Sequence, residues 1–393
     1  MSILQLVFSV VVAFFTLLPA LALLVVKPAL AGNAVVKSMG QDLNPAIDLL
    51  AYTGLVLAAF ALVSLISSAR KVDRIAPPAW MRSRMTWIYG LIALLPALLL
   101  IGWQTFNQRA MADRLMPLFT VLGISASALF LLRLGIGSLW GKSPQRSSGL
   151  FTLSLGFTTP LIMIVEVIAM GLLMLGFVSS VAMNPELQKI MQDLPGLLET
   201  LQSDPQAAEN LLKPLIANPS VIFIVILTFA VIMPLIEELL KTFGVQLLKG
   251  RGLSPADGMV AGMMSGAGFG LLEGLLFGLQ AMPGIEPEKW AGFLLGRSAA
   301  LLLHIFTGAL NGWALVHSWQ GRKTFRLIAA FLLTLVMHGA WNYLAVAGGL
   351  QLLDTNLATY LLVGLFLALF VAYNLFTRSV QNSAKGEASR YGA

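Results

Sequence analysis

Ten times along 393 residues the sequence runs apolar for roughly the twenty residues that a helix needs to cross a bilayer. The runs cover about Ile3–Val26, Ile47–Ser67, Thr86–Trp103, Met116–Ile136, Phe151–Val178, Pro219–Leu248, Met259–Leu279, Ala291–Val316, Leu327–Val346 and Leu357–Phe376. Lipid offers no partner for a backbone N–H or C=O, so segments of this length must close their hydrogen bonds internally as helices. The expected fold is an all-α polytopic membrane protein with ten transmembrane helices. The first run lacks a basic segment before it and is long for a signal peptide, so it reads as a retained span; a small-x-small pair at Ala29 and Ala31 would permit cleavage.

Charge sets the orientation. Arg70, Lys71, Arg74, Arg82 and Arg84 follow the second run, Lys142 and Arg146 the fourth, Lys249 and Arg251 the sixth, Arg322, Lys323 and Arg326 the eighth, and Arg378, Lys385 and Arg390 the tenth. Every even-numbered connection is basic and the odd ones are poorer in Lys and Arg. The positive-inside rule then places both termini in the cytoplasm. The formal charge of +7 is explained by these loops and calls for no nucleic acid. There is no cysteine, which excludes disulfides and thiolate metal sites.

One odd-numbered connection is long. Between Met183 and Pro219, Asn184–Pro185 and Asp204–Pro205 each resemble an N-cap followed by proline at the first helical position. The apolar spacing after them predicts two short amphipathic helices on the outer surface, as a cap over the bundle or a substrate guide.

Ionisable groups inside lipid are expensive and mark function. In the sixth run, VIMPLIEELLK sets Glu237 and Glu238 side by side with Lys241, a counter-charge, one turn on. The seventh carries Glu273 within a strip of Gly266, Gly270 and Gly274 that allows close helix approach. The eighth carries Arg297, His304, Gly308 and Asn311, and the ninth His338 and Asn342 one turn apart. At about 1.5 Å per residue, Glu238, Glu273, His304 and His338 lie roughly 16–24 Å into their helices, a similar depth on four successive spans. Glu166 stands in the fifth run at a depth near that of Arg297, so a structural pair is expected there, with a proton relay as the other reading. His317, beside Ser318 and Trp319 near the membrane surface, reads as structural.

A carboxylate taken out of water holds a proton more strongly and can deprotonate water. Imidazoles exchange protons or bind a metal, and an amide N–H can meet a developing oxyanion. Base, acid and oxyanion donor together suit amide hydrolysis with water as nucleophile. No serine sits in a nucleophile elbow, and HExxH is absent.

EELLK at Glu237–Lys241, FGLLE at Phe269–Glu273, His304, and HGAWN at His338–Asn342 resemble the motifs of the PrsW family of intramembrane proteases. That family lies within the wider CAAX prenyl-protease-like (CPBP or Abi-type) group. The resemblance covers roughly Pro219 to Ala347. It implies Glu237 as base and His338 with Asn342 as oxyanion donors, within a catalytic set of Glu237, Glu238, Glu273, His304, His338 and Asn342. Gly308 stands where a threonine often follows the third-motif histidine, with Thr307 beside it. The resemblance further implies a membrane protein or peptide as substrate and a bacterial plasma membrane as location. The metal question stays open. The reaction can run with no cofactor, or on Zn²⁺ held by a selection of Glu237, Glu273, His304 and His338.

The expected organisation is a five-span bundle over 1–182, an extracytoplasmic segment over 183–218, a four-span catalytic core over 219–347, a last span over 348–377 and a cytoplasmic tail over 378–393. A proton-coupled transporter also uses buried Glu and His with glycine-rich helices. An inactive fold that binds a partner in the membrane is the third reading. The polar cluster lies in the second half, with no repeated pair of broken segments, which favours an enzyme over a carrier.

Overall fold

The computed structural model describes residues 2–32, 43–72, 86–139, 143–182, 188, 217–282, 286–321 and 324–390. These are helical almost throughout. The long connection with its two expected amphipathic helices lies outside the described residues, apart from Gln188. So do Arg74, Arg82, Arg84, Lys142, Arg322 and Lys323 of the basic connections.

In chain order the elements are α1 (Ser2–Gly32), α2 (Asn44–Val72), a 3₁₀ stretch (Thr86–Ala93) leading into α3 (Leu94–Thr105), α4 (Arg109–Ile136), α5 (Pro144–Leu153), a π-helical turn (Ser154–Thr158), and α6 (Thr159–Ala182). Then come α7 (Pro219–Ile226), a second π-helical turn (Leu227–Ile232), α8 (Met233–Lys241), α9 (Phe243–Gln246), α10 (Pro255–Ala281), α11 (Pro287–Gly321), α12 (Thr324–Gly349) and α13 (Thr355–Arg390). Ten of the resulting helical runs are long and apolar enough to cross a membrane, one for each run in the sequence. The chain is a multi-pass membrane protein.

Polar residues cap the helix starts, and α10 begins earlier than its apolar run for that reason. Ser254 accepts from the Asp257 N–H while the Asp257 carboxylate accepts from the Ser254 N–H, with Pro255 at the first helical position. The Asn218 side chain accepts from the Ser220 N–H ahead of Pro219.

Contacts group the chain into two compact units. The first holds Met1–Pro160, Leu240–Phe331 and Ala368–Ala393, and the second Leu161–Leu239 and Leu332–Leu367.

In the first unit α10 and α11 are the core, with 78% and 83% of their most apolar windows buried, so they face protein rather than lipid. Their contact is made by glycine. A Cβ on Gly258, Gly262 or Gly266 would strike the carbonyls of Gly312, Gly308 and His304 respectively. Small residues let two backbones approach this closely, and dispersion over that contact replaces the hydrophobic drive that lipid cannot supply. The strip therefore begins two turns before the Gly266–Gly274 segment evident in the sequence. The Trp290 indole is fully buried and donates to Thr120 Oγ1 at 3.0 Å, and the Tyr373 hydroxyl donates to the Leu131 carbonyl at 2.6 Å. Polar side chains also tie the chain's ends to its links. Gln5 donates to the Gln145 carbonyl at 2.9 Å, Arg146 to Asp257 at 2.9 Å, Gln381 to the Gly135 carbonyl at 2.8 Å, and Gln320 to the Leu253 carbonyl.

In the second unit the logic of the π turns becomes visible at Leu227–Ile232. The Met233 N–H reaches back five residues to the Thr228 carbonyl. The next carbonyl, Phe229, would need the N–H of residue 234, and that residue is proline. Pro160 follows the first π turn at the same spacing, and there the Thr159 N–H bonds the Ser154 carbonyl. A proline behind a π turn thus leaves one carbonyl open to a partner from elsewhere.

Candidate active site

Glu237, Glu238, Lys241, His304 and His338 keep between 0 and 4% of their surface exposed. Charged and polar groups buried this deeply must be satisfied by specific partners.

In the second unit, α8 and α12 meet at the HGAWN motif. The His338 ring lies between two carboxylates, with Nδ1 at 2.9 Å from Glu238 Oε1 and Nε2 at 3.6 Å from Glu237 Oε2. The first is a hydrogen bond; the second is too long to be one. Glu238 therefore fixes the ring, and Nε2 is turned toward Glu237 across a gap. Gly339 is small for a reason: a Cβ there would collide with the Ala230 carbonyl in the π turn. Asn342 Nδ2 donates to the Phe229 carbonyl at 2.9 Å, which is the carbonyl that Pro234 leaves without a helical donor. Three of the five residues of the motif thus answer to the π turn and to the glutamates that follow it.

In the first unit, α10 and α11 carry the other two predicted residues. His304 Nε2 lies 2.9 Å from Glu273 Oε2, and His304 Nδ1 lies 3.2 Å from Lys241 Nζ. An ammonium only donates, so Nδ1 accepts and the ring proton sits on Nε2, where it is donated to Glu273. Glu273 also accepts from Arg297 Nη2 at 2.6 Å. Phe269 completes the arrangement, with Lys241 Nζ 4.9 Å from its ring centre and its edge-on contact to His304 also at 4.9 Å. Gly270 is needed because a Cβ would press on the His304 ring at 2.9 Å. The Lys241 carbonyl, at the end of α8, accepts from Ser265 Oγ at 2.5 Å.

The structure thus brings Glu237, Glu238 and His338 together with Asn342 on the adjoining turn of α12, and brings Glu273 and His304 together. Glu237 and Lys241 sit one turn apart on α8, so a single helix contributes to both groups. The Lys241 ammonium contacts His304 Nδ1, a partner the sequence does not give it. Arg297 as the cation on Glu273, and the Phe229 carbonyl as the target of Asn342, are not legible in the sequence either. The one signal for the last is Pro234, five residues after Phe229. His317 packs against the Trp313 ring, as a structural histidine would.

The buried carboxylates and imidazoles form a donor set that zinc accepts. The spacing at Glu237 and His338 suits it, since two ligand atoms about 2.1 Å from one tetrahedral ion stand roughly 3.4 Å apart. Glu238 on His338 Nδ1 is the outer carboxylate that commonly orients a ligating imidazole. His304 has both nitrogens engaged, by Lys241 and Glu273.

No curated protein and no solved structure matches the chain significantly. A sequence model described as PrsW family intramembrane metalloprotease matches residues 159–373, more than half of the chain and wider than the segment that carries the motifs. With the motif residues buried and engaged as described, the chain belongs to the PrsW family.

Proposed function

We propose that the protein is an intramembrane endopeptidase that hydrolyses a peptide bond of a membrane-associated protein with glutamate-activated water. The observation that carries this is the His338 ring held by Glu238 on one nitrogen and facing Glu237 across 3.6 Å on the other. Glu238 positions the imidazole, which leaves Glu237 as the reacting carboxylate. Glu237 takes a proton from water as the oxygen adds to the substrate carbonyl. The proton passes to His338 Nε2, and the imidazolium so formed keeps Nδ1–H on Glu238 and points Nε2–H at the oxyanion. Asn342 has a second N–H beyond the one given to Phe229, and it serves the same oxyanion. As the C–N bond breaks, the proton goes to the leaving amine. His304, held by Lys241 and Glu273 within the first unit, is proposed to contact the substrate. Zinc, were it bound, would be held by Glu237 and His338 and would polarise the carbonyl and the water.

We place both termini in the cytoplasm. The basic even-numbered connections support this, as do the side-chain contacts that tie the α1 end, those connections and α13 within the first unit.

Single-turnover cleavage of a membrane substrate by reconstituted protein tests the reading. Well-folded Glu237→Gln and His338→Ala that cleave at the wild-type rate would end it. Substrate flux in proteoliposomes without a cleavage product would turn it into a carrier. Metal analysis of active protein before and after exhaustive chelation decides whether zinc takes part.

A further inference from the structure

Away from the glutamates, the first unit contains a cavity of about 590 Å³, within the size range of small-molecule sites. Its walls come from the start of α1, the end of α2, α5 with the turn after it, and α9 with the turn that follows. Phe8, Phe157 and Leu247 are among its many apolar lining residues. Three cations line it as well: Lys71, Arg146 and Arg251. They come from three different even-numbered connections. Arg146 is shared with Asp257, at 2.9 Å, so the cavity keeps an excess of two positive charges from Lys71 and Arg251, both exposed.

An apolar pocket with cations selects a molecule that is apolar along its length and anionic at one end. In a membrane protein that is an acyl chain with a phosphate headgroup. The three connections are those whose basic character predicts the cytoplasmic face, where the leaflet is rich in anionic lipid. We propose that this cavity holds one anionic phospholipid, with its phosphate on Lys71 and Arg251 and an acyl chain along the α1, α5 and α9 wall. The proposal is independent of the hydrolytic reading.

The test uses the full chain, delipidated in mild detergent and titrated with phosphatidylglycerol or phosphatidylcholine under native mass spectrometry. Wild-type protein should retain phosphatidylglycerol at least about tenfold better than phosphatidylcholine, given the two cations. The Lys71→Gln/Arg251→Gln double variant should lose about thirtyfold in phosphatidylglycerol retention and leave phosphatidylcholine unchanged. Leu247→Trp, a half-exposed wall position, should weaken both lipids by narrowing the apolar part. Melting curves confirm that each variant folds. Equal retention of the two lipids by wild type, or phosphatidylglycerol retention untouched by both variants, overturns the proposal. Displacement of the lipid by glycerol 3-phosphate at matched concentration overturns it too, in favour of a free-anion site.

Discussion

Asn342 donates to the Phe229 carbonyl at 2.9 Å because Pro234 cannot. The proline removes the N–H that would close the π turn, and a side chain on α12 replaces it. Asn342 thus has a packing duty as well as its proposed catalytic one, and the two can be separated. Asn342→Ala should lower stability by about 1–3 kcal/mol, the effect of an unsatisfied carbonyl. Pro234→Ala restores a backbone donor, so adding it to Asn342→Ala should recover the lost melting temperature. Cleavage should stay about 10²–10³ below wild type if the second N–H meets the oxyanion. Recovery of both together would reduce Asn342 to a structural role.

The two adjacent glutamates should behave differently. Glu237→Gln removes the base and should cost about 10²–10⁴ in single-turnover rate. Glu238→Gln still offers His338 an oxygen and should cost less than Glu237→Gln. Equal losses would contradict the division of labour drawn from 2.9 Å against 3.6 Å.

Lys241, His304, Glu273 and Arg297 form a chain of alternating donors and acceptors, buried at Lys241 and His304 and part-buried at Glu273 and Arg297. Removing the Lys241 ammonium takes the donor from His304 Nδ1, and losing the donor to a buried acceptor costs about 1–3 kcal/mol. Lys241→Met should therefore lower the detergent melting temperature well beyond His317→Ala, whose neighbour is the Trp313 ring. A Lys241→Met protein as stable as wild type would show that His304 does not depend on the ammonium.

Gly262 and Gly296 make a matched pair. Gly262→Val should prevent folding, because the backbone of Gly308 leaves no room for a side chain; Gly296→Ala meets nothing within 4 Å and should be neutral. Gel filtration of the two variants after solubilisation is the measurement.

Because the chain has no cysteine, single cysteines report sidedness cleanly. With both termini in the cytoplasm, a membrane-impermeant thiol reagent should label Asn356→Cys in intact cells and Asn382→Cys only after permeabilisation. The reverse pattern would invert the topology.

All ten spans are legible in the sequence because hydropathy over twenty residues is a property of the chain alone. Several of their ends are not, since Ser254 and Ser143 begin helices while still polar. The residue types of the candidate site are legible as ionisable groups in apolar runs. Their partners are not: Glu238 and His338 are 100 residues apart, and Glu273 and Arg297 are 24 apart, so only packing can join them. The π turns are invisible because nothing in local propensity distinguishes LTFAVI from ordinary helix; the signal lies in a proline beyond it and an asparagine on another helix.

The Leu227–Ile232 turn also sets an angular phase. Each residue advances an α-helix by about 100°, so a turn that holds one residue more than an α-helix would rotates everything after it. Glu237 and Glu238 follow within two turns, and their direction is therefore written upstream of them. Closing this turn as an α-helix with all its residues kept would carry both carboxylates about 100° round the axis and off His338 without altering any residue they touch. Insertions there should be far less tolerated than substitutions, although no residue of the turn is itself chemical.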